Sequence, residues 1–152
     1  MAVPTGSGTE TLHAHHFEDV DALQALILGV QHHVYTVLST IVHCNALDAT
    51  TDKGYLQILG YDSHEGTSAQ TMLLATFNIQ VGETYVWNDK FCFNGTEPSD
   101  FASGGFDAAA DQLALAAMGA ATVQAYQFTM TSADGGGQDY DVHVSYLDQD
   151  WT

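Results

Sequence analysis

The side chains of this chain that could do chemistry are eight histidines, nineteen carboxylates and two cysteines. The histidines are His13, His15, His16, His32, His33, His43, His64 and His143. In an extended segment the run "HAHH" puts His13 and His15 on one side, half of a zinc or nickel site. A closed structural site takes four ligands, and no Cys-x-x-Cys or His-x₃-His spacing supplies the others. The competing reading is polar or interface histidine, the main source of positive charge on protonation in a chain with few other cations. Polar or interface histidine is the reading we adopt, and pH-sensitive assembly is a hypothesis that follows from it. Toward the C-terminus, Asp139, Asp141, Asp148 and Asp150, with Asp134, could gather round calcium, but EF-hand spacing is absent. Alternating acids of this kind read as a solvated strand face.

The remaining catalytic patterns discriminate little. A glycosidase needs two carboxylates in a cleft, and among nineteen acids any pair can be nominated. Cys44 or Cys92 beside a histidine would imitate a thiol nucleophile, yet no local signature surrounds either. Both cysteines read as small buried side chains in strands. Gly-x-Ser-x-Gly, Gly-x-Gly-x-x-Gly and Walker loops are missing. "NGT" at Asn94 matches a glycosylation acceptor, taken as chance because no signal peptide precedes it. We therefore assign no catalytic residue, no metal ligand and no cofactor, and expect a protein that is not an enzyme.

Charge narrows the partners. Only Lys53 and Lys90 oppose the acids, for a formal net charge of −17. Phosphate binding needs Lys or Arg, so nucleic acid is excluded as a partner, and an anionic membrane surface is disfavoured for the same reason. No apolar run is long enough to span a bilayer as a helix. The acids are spread along the chain and keep copies soluble; a salt-rich habitat, which screens self-repulsion, explains them equally.

The elements that must carry these residues are strands. Residues 1–16 read as an extended N-terminal arm, interrupted by Pro4, Gly6 and Gly8, and 17–152 as a single domain. "FEDVDALQALILGV" fits either a helical turn or a buried strand. "HVYTVLSTIVHC" is β-branched and aromatic, and "YLQILGYD" follows a polar turn. "MLLATFNIQVGETYVWNDKFCFNG", Met72 to Gly95, reads as a hairpin turning at Gly82. Leu73, Ala75, Phe77, Ile79 and Val81 share one face of its first arm. Tyr85, Trp87, Phe91 and Phe93 share a parity on the return, with a bulge or bend at Asn88–Asp89. "DAAADQLALAAMGAA" suggests a short helix within an Ala-rich insertion. In "VQAYQFTMTS" Tyr126, Phe128 and Met130 align, and in "YDVHVSYLDQDW" Tyr140, Val142, Val144 and Tyr146 do. About seven strands with little room for crossovers give an all-β, antiparallel β-sandwich, with or without jelly-roll connections.

The order "VYTVLSTIVH", "TTDKGYLQILG", "TMLLATFNIQV", "GETYVWNDKFCFN" and "DYDVHVSYLDQD", over roughly Val34 to Asp150, resembles small β-sandwich virion proteins of tailed bacteriophages. The type resembled is the capsid decoration, or cement, protein; the Ala-rich insertion departs from it. The resemblance implies a non-enzymatic subunit on the outer surface of the capsid, assembled in the host cytoplasm. It implies the major capsid protein as partner, with self-association for which a homotrimer suits threefold sites on a shell. The arm at 1–16 would then fold onto a neighbouring subunit. The alternative is a tail- or head-fibre-associated module recognising glycan or cell surface through Tyr85, Trp87 and Trp151.

Overall fold

The computed structural model describes residues 9–30, 33–61, 69–95, 123–131 and 137–150. Nine strands run through them: β1 (Thr9–Val20), β2 (Gln24–Leu28), β3 (His33–Ala46), β4 (Gly54–Tyr61), β5 (Ala69–Phe77), β6 (Thr84–Trp87), β7 (Phe91–Asn94), β8 (Ala125–Met130) and β9 (Asp139–Asp150). Every pairing is antiparallel. Sheet A has the order β1-β9-β3, with β6 and β7 both on the far side of β3; sheet B has the order β2-β8-β4-β5. The protein is an all-β sandwich, as its alternating apolar pattern demands.

Alternation fixes which residues meet between the sheets. From sheet A come Tyr35, Val37, Val42 and Cys44 of β3 and Tyr140, Val142, Val144 and Tyr146 of β9; from sheet B come Leu56, Phe77, Tyr126, Phe128 and Met130. All are less than a tenth exposed, and each such side chain contributes about 1.5–3 kcal/mol on burial. Thr40 and Tyr126, both fully buried, join the sheets through an oxygen–oxygen hydrogen bond of 2.7 Å. Phe128 meets Tyr140 edge-on, with ring centroids 5.2 Å apart. Gly54 makes room for this packing, since a Cβ there would lie 2.9 Å from the Phe128 ring.

Three sequence expectations change. The boundary at residue 16 falls inside β1, because Thr9 to Phe17 pair residue by residue with β9 of their own chain. Residues 9–16 are extended as expected, but they belong to the sandwich. The open reading of "FEDVDALQALILGV" resolves into the end of β1 and the strand β2.

Met72 to Gly95 is not a hairpin. β5 pairs with β4 in sheet B, whereas β6 and β7 pair with β3 in sheet A. The chain crosses between the sheets at residues 78–83. Gly82 does turn there, at φ +87°, its N–H donating to the Cys44 carbonyl at 2.8 Å. A bulge at Leu74, where Leu56 faces Ala75 and Gln57 faces Leu73, breaks the expected β5 face. Phe77 and Ile79 are buried, while Leu73 and Val81 are exposed. β6 and β7 lie end to end along β3, separated at Asn88–Lys90, where the bend was expected. The Ala-rich insertion and its expected helix lie outside the described residues.

Candidate functional site

Ionisable side chains converge at one end of the core-facing side of sheet A. β9 carries Asp148 and Asp150 in the parity of Tyr146, β3 brings His33 beside Asp150, and β1 brings His13 beside Tyr146. Here His33 Nδ1 lies 2.7 Å from Asp148 Oδ1, and His33 Nε2 lies 3.7 Å from Asp150 Oδ1. His13 Nε2 lies 3.7 Å from Asp148 Oδ2, so one carboxylate serves two imidazoles on two strands. His15 Nε2 lies 3.0 Å from the Tyr146 hydroxyl. The rings of His13 and His15 stack on Tyr146, and His33 stacks on Tyr35.

The carboxylates mark their neighbours. Burial first, and then Asp148, push the Tyr35 phenol up to about 12, and the same two causes raise Tyr146. Tyr35 Oη also accepts the N–H of Val30 at 3.1 Å, which acts in the opposite direction. The arrangement ties β1, β3 and β9 together. The contact of His33 Nδ1 with Asp148 Oδ1 has the length of a hydrogen bond.

The other nominated residues separate. Asp139 and Asp141 lie on the outer side of sheet A, at the opposite end of β9 from Asp148 and Asp150, so the C-terminal acids form no common calcium shell. Instead the carboxylates of Asp139 and Asp141 come within 4.8 Å of that of Asp19. Asp19 sits at φ +54°, and its N–H donates to Asp141 Oδ1 at 3.2 Å, which accounts for the proximity. His13 and His15 do share a side of β1, but His13 is directed to Asp148 and His15 to Tyr146. On the outer side, His16 is 5.7 Å from His143 between ring centroids, and His43 Nδ1 is 2.7 Å from Thr84 Oγ1. His32, His64, Asp134 and Trp151 lie outside the described residues.

His43 cannot assist Cys44, because adjacent strand residues face opposite sides. Cys44 is buried, its thiol raised by burial and then by Asp139. Cys92 is exposed, against the expectation of two buried thiols, because its parity in β7 opposes that of the core residues Phe91 and Phe93. Tyr85 packs on Phe77 at 4.5 Å between centroids, and Trp87 lies against Phe91 with its Nε1–H donated to Asp89.

No protein-family model matches the chain, and no curated protein matches its sequence. Solved structures do. A chain from Bacillus endospore appendages, described as disulfide-linked pili, aligns with 100% of this chain and 97% of its own length, at 6% identity and a TM-score of 0.41. Chains from the Gt and Gx strains of infectious bursal disease virus each align with 96% of this chain, at 6% identity and a TM-score of 0.42. This chain spans 32% of the length of each of those two.

Proposed function

We propose that this protein is a non-enzymatic capsid decoration or cement subunit, which sits on the outer surface of a phage head and stabilises it by bridging capsomers. One observation carries the reading: apolar side chains stand on the outer sides of both sheets, away from the core. Leu12 is 66% exposed and Val86 50% on sheet A, and Leu28 is 66% and Leu73 57% on sheet B. In this reading a partner covers these side chains, at about 25 cal/mol per Å² of apolar surface buried. The major capsid protein and copies of this chain are the partners that the reading names.

Charge supports it. A chain with a formal net charge of −17 is repelled by the DNA packed within a head and stays soluble before assembly. The clustered histidines and carboxylates then serve architecture, fastening the exposed strand β1 to the two central strands of sheet A. The test is a virion lacking this chain. Heads should release DNA at lower temperature than wild-type heads, and purified protein added back should restore the difference. Heads of unchanged thermal stability would refute the proposal.

A further inference from the structure

Among the described residues, β1 is the outermost strand of sheet A. It pairs with β9 on one side, from Thr9↔Asp150 to Phe17↔Val142 without interruption, and the register shifts only beyond Phe17. A strand bonded on one side directs its other backbone N–H and C=O groups away from the sheet. Proteins guard such edges with lysine, proline, a bulge or shortness. The segment "TETLHAHHF", Thr9 to Phe17, has none of these, and the only lysines of the chain are Lys53 and Lys90. The other sheet edges are guarded: β2 has five residues and a register shift, β5 has its bulge, and β6 and β7 are four residues each.

We infer that β1 pairs antiparallel with β1 of a second copy, about a two-fold axis at His13, so that two copies of sheet A form one continuous sheet. The register follows from symmetry. An axis perpendicular to the sheet keeps outer residues opposite outer residues, so it must pass beside a residue and its own copy. Centring on His13 places every residue of the regular segment opposite a partner, from Thr9 facing Phe17 to Phe17 facing Thr9.

Charge selects the same centre. On the outer side Glu10 then faces His16 of the second copy, twice over, and Leu12 faces Ala14. Glu10 and His16 form an opposite-charge pair when the imidazole, already 3.8 Å from Glu18 of its own chain, is protonated. Moving the axis to Ala14 would set Glu10 against Glu18, a like-charge pair that opposes association. Moving it to Leu12 would leave His16 and Phe17 outside the regular segment. On the core-facing side the His13 axis brings two His13 imidazoles together, each already directed at its own Asp148. The contact is isologous and consumes the edge, so it closes at two copies where an unguarded edge would otherwise template further addition. This inference rests on the self-associating subunit proposed above, and it specifies a two-fold contact where the sequence resemblance favours a threefold one.

Two measurements on the full-length chain test it. In a Cys92→Ser background, which removes the exposed thiol, His13→Cys should cross-link to a dimer under mild oxidation. Opposed antiparallel Cα atoms lie about 4.5–5.5 Å apart, within disulfide reach. Thr11→Cys, which faces His15 and not itself, should cross-link far less. In sedimentation, His16→Glu should weaken the dimer about tenfold by facing Glu10 twice, and Glu10→Lys combined with His16→Glu should restore it. His16 is half exposed, so the fold tolerates the change. Wild-type association without His13→Cys cross-linking would overturn the β1 pairing while leaving the assembly reading intact. A wild-type chain that stays monomeric at all concentrations would also overturn the pairing, and the add-back of protein to virions would judge the assembly reading separately.

Discussion

Removing the hydroxyl of Tyr126 tests how the two sheets are joined. Tyr126 Oη and Thr40 Oγ1 lie 2.7 Å apart, and both residues are 0% exposed. Tyr126→Phe deletes the oxygen, keeps the ring among its neighbours, and strands the threonine hydroxyl where no bulk water reaches it. An orphaned buried hydroxyl costs about 1–3 kcal/mol, and in a domain of this size each kcal/mol lowers Tm by about 2–4 °C. Thr40→Val should cost a similar amount, because it strands the phenol instead. The double variant removes both partners and leaves neither unsatisfied, so its cost should fall well short of the sum, with a coupling of about 1–2 kcal/mol. Urea unfolding of the four proteins, with slopes held equal, measures that coupling. Strict additivity, or a Tyr126→Phe variant as stable as the parent, would refute the claim that this contact clasps sheet A to sheet B.

Alkali should unfold the protein in a defined window. Tyr35 ionises near 10 when unfolded and is held at about 12 when folded, so the folded state keeps its proton longer. The stability is complete below pH 10 and is lost as pH rises from 10 to 12, by an amount on the order of a few kcal/mol from this residue. Tyr126 and Tyr140, also raised by burial, add in the same direction, and a urea midpoint that stays flat across that window would contradict this. Cys92 should react with a thiol reagent in the native protein, and Cys44 only on unfolding; equal rates in native protein would contradict the burial assigned to Cys44. Gly82→Ala should lower stability by about 1 kcal/mol through its positive φ alone, since nothing lies within 4 Å of an added Cβ. Chemical denaturation measures that loss, and no loss would contradict the turn geometry.

Much of the sandwich was legible because a strand repeats every two residues. The faces of β8 and β9, from Tyr126 to Met130 and from Tyr140 to Tyr146, are those that alternation specifies. Alternation names faces, not partners, which is why Met72 to Gly95 read as a hairpin. A turn at Gly82 looks the same whether the next strand returns beside β5 or crosses to the other sheet. The β5 face also failed where a single extra residue, Leu74, reset the parity. At the candidate site the parity of β9 already separates Asp148 and Asp150, which follow Tyr146, from Asp139 and Asp141, which oppose it. His33 and Asp148 are 115 positions apart, and only strand pairing brings them to 2.7 Å. Asp19 was invisible because it joins Asp141 through a corner at the end of β1 and not through a spacing.

The most direct test of the proposed decoration role is a cryo-electron microscopy map of phage heads prepared with this chain. The account predicts density for a two-sheet sandwich on the outer capsid surface, seated across capsomer boundaries with the apolar outer side of a sheet against the shell. A complete, well-ordered head with no such density would contradict it.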